Sequence, residues 1–285
     1  MTAERTLAYE VVDVFTDRAF AGNPLAVVLD ADDLSTEQLQ SIAREFNLSE
    51  TSFPMAADVE GASYRLRIFT PAQELPFAGH PSVGAADVML RLGRIPAGRI
   101  VQSCGAGLLP LEVGPDSVTL TGGEATWSDP IEAAGLLHAV GLTAADLDGV
   151  PRRVGCGIDF TFLPVRADAL ARIDVDLRAV AAFGGAGVSV FCWDGKAARA
   201  RVFAAGAGVP EDPATGSAGV ALGGYLVVSG LVGGDGTTPY EIQQGVEMGR
   251  PSLLHCTVTA RSGKPVETTV SGSTVPVARG EIRVP

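Results

Sequence analysis

Two stretches of this chain repeat each other at a shift of 137 residues, from position 74 to position 211. Glu74-Leu75-Pro76-Phe77-Ala78-Gly79 and Glu211-Asp212-Pro213-Ala214-Thr215-Gly216 share the pattern E-x-P-x-x-G. Each is preceded by a segment with alternating arginines, Arg65 and Arg67 in one copy, Arg199 and Arg201 in the other. Each runs into a helix-like segment and reaches a second glycine at the same spacing, Gly93 and Gly230. The shared context argues for a duplication, hence two similar domains. The length of 285 residues allows this, at roughly 150 residues per domain. The expected division is 1–122, joined by a C-terminal strand at 276–285, and 123–275, with a site in the cleft between the two.

The local patterns alternate between strands and helices. Tyr9–Phe15, Leu25–Leu29, the alternating Tyr64, Leu66 and Ile68, Leu108–Val113 and Val118–Thr121 read as strands. Ser35 starts a helix with Gln38 at capping-box spacing, Leu39, Ile42, Ala43 and Phe46 give it an apolar face, and Asn47 ends it. Helices are also expected over Pro81–Leu92, Ile131–Val140, Leu177–Ala182 and Ser217–Val228, and strands over Asp159–Val165, Val188–Trp193, Glu241–Gln244, Leu254–Ala260 and Glu281–Val284. The Gly-rich stretch Gly122–Asp129 reads as the linker. The class is α+β or α/β.

Composition excludes several functions. A net charge of −12, with only two lysines, argues against nucleic acid or an anionic membrane as partner. No apolar run reaches the roughly 18 residues of a transmembrane helix, and the N-terminus lacks signal-peptide character, so the expected location is cytoplasmic. The four cysteines, Cys104, Cys156, Cys192 and Cys256, form no CxxC pair and read as free thiols with no metal site. Dinucleotide, P-loop and nucleophile-elbow motifs are absent.

The chemistry concentrates at the two repeat loops. Gly79 and Gly216 sit where loop becomes helix. Helix starts leave free N–H groups and partial positive charge, which suit a carboxylate. His80 follows Gly79, Ser217 follows Gly216, Asp212 lies four residues before Gly216, and Glu50 stands just past the first helix. Spacing alone leaves open whether each is an acid–base group or an ordinary loop residue. Glu74 and Glu211 read as structural acids that satisfy backbone N–H groups at the loops.

These residues sit in longer segments that resemble the PhzF-like isomerases of the phenazine biosynthesis group. They are Phe20-Ala21-Gly22-Asn23-Pro24-Leu25-Ala26-Val27, Asn47-Leu48-Ser49-Glu50-Thr51, Ile68-Phe69-Thr70-Pro71 with Glu74 to Pro81, Glu211 to Ala218, and Gln244-Gly245-Val246-Glu247-Met248-Gly249-Arg250-Pro251-Ser252. The resemblance covers nearly the whole chain, loosely from about Asp129 to Val188. It implies a diaminopimelate-epimerase-like α+β fold, two pseudo-symmetric domains each with a curved sheet around a central helix. It also implies a cofactor-free enzyme, commonly a homodimer, that shifts a proton on a small cyclic carboxylate such as trans-2,3-dihydro-3-hydroxyanthranilate. On the same ground Glu50 would carry the proton, His80 and Asp212 would assist, and the backbone at Gly79, Gly216 and Ser217 would grip the carboxylate. The related epimerases place two cysteines where this chain has Ala78 and Thr215, so a two-thiol racemase has no reactive pair here. A single-carboxylate shuttle needs a base with a raised pKa, expected for Glu50. A binding protein on the same scaffold and an amino-acid epimerase are the alternatives.

Overall fold

The computed structural model describes residues 5–285. The chain divides into two compact units, Met1–Leu120 with Ser271–Pro285, and Thr121–Val270. The first unit contains β1 (Thr6–Val14), β2 (Asn23–Val28), α1 (Thr36–Phe46), β3 (Glu50–Met55), β4 (Tyr64–Phe69), β5 (Glu74–Leu75), α2 (Gly79–Arg91), β6 (Gly98–Cys104), β7 (Gly107–Val113) and most of β8 (Val118–Thr121). The second contains β9 (Ala125–Trp127), α3 (Ala133–Ala139), β10 (Arg152–Cys156), β11 (Asp159–Pro164), α4 (Leu177–Ala181), β12 (Gly187–Trp193), β13 (Ala197–Ala204), β14 (Val209–Asp212), α5 (Gly216–Val228), β15 (Gly236–Gln244), β16 (Ser252–Arg261) and most of β17 (Lys264–Gly272). The last strand, β18 (Thr274–Arg283), pairs antiparallel with β1, so the chain's end completes the sheet in which it began.

The pairing pattern occurs twice. In the first unit β2 runs parallel to β3, β3 antiparallel to β4, β4 antiparallel to β5 and parallel to β6, and β6 antiparallel to β7. In the second, β11 runs parallel to β12, β12 antiparallel to β13, β13 antiparallel to β14 and parallel to β15, and β15 antiparallel to β16. Helices fill the parallel crossovers at matching places, α1 and α4 in the first crossover, α2 and α5 in the second. Both α2 and α5 have 13 residues, and the 137-residue shift maps one onto the other from first residue to last. The glycines that follow, Gly93 and Gly230, take positive φ of 68° and 67°.

Each unit has one almost fully buried helix. Every residue of α2 from Gly79 to Met89 is buried, as is every residue of α5 from Gly216 to Val227. The nearly uniform apolar character of α5 requires this enclosure, whereas α2 also carries the buried His80, Ser82 and Asp87. The outer face of the first sheet is covered by α1, whose Leu39, Ile42 and Ala43 pack on Val28, Phe53 and Phe69. Each large apolar side chain buried this way contributes roughly 1.5–3 kcal/mol. The capping box at Ser35 and Gln38 is present, and Asn47 closes α1 in the left-handed conformation.

Three expectations need correction. The stretch Gly122–Asp129 is no free linker, because it contains β9, which pairs with β10. Glu50 is not in a loop: it is the first residue of β3. Glu74 and Glu211 do not serve backbone N–H groups. Arg67 donates to both oxygens of Glu74 at 2.7 Å, and Arg201 to both oxygens of Glu211 at 2.9 and 2.8 Å. Arg67 also lies over Phe69 and Arg201 over Phe203, with guanidinium carbon to ring centre distances of 5.1 and 5.3 Å. Two-pronged forks of this kind set geometry as well as charge, and they hold each E-x-P-x-x-G loop to the strand before it.

Candidate active site

The turn between β1 and β2 sets the position of Asn23. Gly22 has φ +64°, and a Cβ there would lie 2.4 Å from the Val14 carbonyl oxygen, so only glycine fits. The turn is tied down by the buried Asp13, whose carboxylate accepts the Phe20 N–H at 2.6 Å. Asn23 then begins β2 with its side chain fully buried. The left-handed Asn47 reverses the chain after α1 and sends Ser49 and Glu50 back alongside β2, with Glu50 opposite Leu25 in the parallel register.

These turns gather four side chains within the first unit. Ser49 Oγ donates to Asn23 Oδ1 at 3.1 Å, and Asn23 Nδ2 lies 3.2 Å from His80 Nδ1. On the other side of the ring, His80 Nε2 lies 3.5 Å from Glu50 Oε2. That is longer than an ordinary hydrogen bond. Glu50 is about one-eighth exposed and His80 almost fully buried. Below them Tyr64 Oη donates to Gln102 Oε1, Gln102 Nε2 donates to Ser82 Oγ, and Ser82 Oγ donates to the Ala78 carbonyl, which anchors the start of α2.

Burial pushes the His80 imidazole down to about 3, so at neutral pH the ring is uncharged. The Glu50–His80 contact is therefore a carboxyl facing a neutral ring rather than an ion pair. The unfolded chain protonates this histidine near pH 6.5, whereas the folded chain does not. The site subtracts nothing above pH 6.5 and subtracts increasing stability below it. Between about pH 5.5 and 4 the urea-unfolding free energy of the wild type should fall more steeply than that of His80→Gln, by about 1.4 kcal/mol per pH unit. Parallel pH curves for the two proteins would show that His80 is protonated in the folded state.

The second unit builds its half of the repeat differently. Asp212 is buried at the end of β14, and Thr215 Oγ1 donates to its Oδ2 at 2.5 Å. Gln244, buried at the end of β15, donates from Nε2 to the Asp212 carbonyl and to Thr215 Oγ1, and its Oε1 accepts the Thr215 N–H. Ser252 Oγ donates to the Pro213 carbonyl at 2.8 Å. The loop Asp212–Thr215 is thus fixed from both ends before Gly216 and Ser217 open α5 as its first two residues. The N-caps of α2 and α5 are Ala78 and Thr215, and neither carries a thiol. All four cysteines are free.

Of the residues singled out from the sequence, the structure brings Glu50, His80 and Gly79 together in the first unit and Asp212, Gly216 and Ser217 together in the second. Sequence reasoning did not single out Asn23, Ser49 or Gln244. All three lie inside the quoted motifs, but their roles are tertiary contacts. Among the described residues, no three His, Cys, Asp or Glu side chains form a metal-ligand set. Among the same residues, no helix is long and apolar enough to cross a membrane.

A family model described as phenazine biosynthesis-like protein, PhzC-PhzF, matches residues 12–280. The chain belongs to this family. A PhzC-PhzF relative from Pseudomonas fluorescens, named trans-2,3-dihydro-3-hydroxyanthranilate isomerase, is 36% identical over 285 residues, covering 96% of this chain and 98% of the relative. A solved PhzF-family structure from Bacillus anthracis superposes with a TM-score of 0.89 at 27% identity, covering 98% of this chain and 99% of that one. A hydroxyproline epimerase from Agrobacterium vitis reaches a TM-score of 0.64 at 15% identity, covering 100% of this chain and 94% of that one. That last likeness is one of fold. The PhzC-PhzF chain thus has the diaminopimelate-epimerase-like α+β fold.

Proposed function

We propose that this PhzF-family isomerase moves a proton within a small cyclic carboxylate, with trans-2,3-dihydro-3-hydroxyanthranilate as the first substrate to test. The observation that carries the reading is a shielded carboxylate, Glu50, set against the uncharged ring of His80. The name of the Pseudomonas fluorescens relative supports the choice of substrate.

The chemistry follows from that pair. Glu50 takes a proton from one ring carbon, and the electron pair of the broken C–H bond moves into the adjoining π system. The protonated Glu50 then delivers the proton to a second ring carbon, where the double-bond electrons form the new C–H bond. The carboxylate is regenerated and the double bond has moved. A shift of this kind balances without an electron acceptor, so no redox cofactor is proposed. His80 steadies the proton-transfer partner from its Nε2 side. Asp212 and the amides of Gly79, Gly216 and Ser217 are assigned to the substrate's polar groups, which suits the free amides and partial positive charge of helix starts. A reaction that depends on one positioned base gains about 10²- to 10⁴-fold from it.

Incubation with trans-2,3-dihydro-3-hydroxyanthranilate in heavy water, followed by proton NMR, tests the reading. Loss of the substrate signals with formation of the shifted isomer is expected. A substrate spectrum that stays unchanged at micromolar enzyme overnight would remove this substrate.

A further inference from the structure

We propose that Asn23, held by Ser49, is a positioning residue that fixes His80 as the tautomer with its proton on Nε2, aimed at Glu50. The inference rests on the reading of Glu50 as the proton carrier, but its geometry stands independently of any substrate.

A neutral imidazole has one N–H donor and one bare acceptor nitrogen, and its surroundings decide which is which. His80 Nδ1 faces an amide group of Asn23 at 3.2 Å, and Nε2 faces a carboxyl oxygen of Glu50 at 3.5 Å. With Ser49 Oγ donating to Asn23 Oδ1, the Asn23 NH2 is turned toward Nδ1. That nitrogen must then accept, and the proton goes to Nε2, where an ionised Glu50 can receive a hydrogen bond. The flipped amide gives a worse result. Asn23 Oδ1 would face Nδ1, the proton would move to Nδ1, and the lone pair of Nε2 would point at the Glu50 carboxylate. With Glu50 ionised, only the first arrangement points donor toward acceptor at all three places, the Nε2–Glu50 approach being the long one at 3.5 Å.

The placement of the residues fits this role. Asn23 lies 57 residues before His80 in the chain, is fully buried, and is delivered by a turn that only glycine at position 22 permits. An Asn at the start of a strand could cap its own backbone. Here its side chain reaches across to His80 in another element. The Nε2–H proton gives Glu50 a donor when it is ionised. A tautomer with its proton on Nδ1 would instead set a lone pair against the carboxylate and push it off the line on which it meets the ring carbon.

The chain has three histidines, so 15N-histidine NMR can assign His80 by difference with one His80 variant. At pH 7 the wild type should show a bare, pyridine-type nitrogen at Nδ1 and a protonated, pyrrole-type nitrogen at Nε2. Asn23→Asp puts an acceptor against Nδ1 and should convert that nitrogen to the protonated type. Its kcat should fall about 100-fold while KM stays within roughly threefold, the split expected when an acid–base group is misaligned and not lost. Ser49→Ala removes only the hydroxyl that orients the amide, and should give a mixed tautomer signal in a folded protein. A protonated Nδ1 in the wild type overturns the proposal whatever the turnover, and needs no variant to fold. An Nδ1 signal unchanged in folded Asn23→Asp, or unchanged kcat once the tautomer has switched, overturns it too. The wild type with the expected tautomer but no turnover would count against the isomerase reading and leave the positioning role standing.

Discussion

Glu50→Gln is expected to lose about 1,000-fold in turnover of any substrate the wild type isomerises, with KM changed by less than about threefold. The amide has the same shape as the carboxylate, so β3 and its parallel pairing with β2 have no reason to move. What changes is basicity. An amide cannot take a proton from a ring carbon at neutral pH, and the surrounding side chains offer no substitute. The nearest titratable ring, His80, is a poor base because burial disfavours its protonated form, and it lies behind Glu50 in the contact chain. Glu50→Asp is the informative companion. It keeps the charge but draws the carboxylate back by one methylene, away from a ring already 3.5 Å off. Proximity effects are steep at this scale, so about a 100-fold loss is expected. Steady-state rates for the three proteins, with deuterium uptake measured in heavy water, decide the matter. If Glu50→Gln keeps turnover within about threefold of wild type, the proton travels through another group and the proposed mechanism is wrong.

The contrast between what the sequence disclosed and what it hid has a physical cause. The two buried helices were legible because a duplication leaves its mark in spacing, and the 137-residue shift maps α2 onto α5 without error. The helix over Thr36–Phe46 was legible because its caps and its apolar face are local. The strand over Glu50–Met55 was not. It is buried on both faces beside parallel β2, so it has no alternation to read, and Pro54 argues against a strand. Its first residue therefore looked like a loop acid. Asn23 was visible only as one member of the Phe20–Val27 motif, because the partner that gives it meaning lies in α2. The arginine forks were half legible. Alternating arginines and the glutamate of each repeat were both seen, but pairing Arg67 with Glu74 and Arg201 with Glu211 needs the antiparallel hairpins that bring them together. In the second unit the segment around β9 reads as Gly-rich and polar, and only its pairing with β10 makes it a strand.

Gly223→Ala should destabilise the protein by about 2–4 kcal/mol, the opposite of what a helix interior usually shows. In an ordinary helix this exchange gains up to about 1 kcal/mol, because alanine restricts the unfolded chain and favours the helix. In α5 the glycine faces the sheet. A Cβ at this position would lie 2.5 Å from Tyr240 Oη and 3.0 Å from Val258 Cβ. Tyr240 cannot swing aside cheaply, since its hydroxyl donates to the Gly219 carbonyl at 2.8 Å and its ring is fully enclosed. Either the ring shifts and the buried hydrogen bond is lost, or β15 and β16 move away from the helix. Overpacking costs typically 1–3 kcal/mol and an orphaned buried polar group another 1–3 kcal/mol, and together they exceed the propensity gain. Tyr240→Phe in the same chain tests the cause, because removing the hydroxyl removes the nearest atom of the clash. The double variant should be at least about 1 kcal/mol more stable than the two single losses predict. Urea midpoints at constant m-value provide the comparison. A Gly223→Ala protein as stable as wild type would mean that the sheet does not press on the helix here. Strict additivity in the double variant would mean that Tyr240 is not what resists the added methyl.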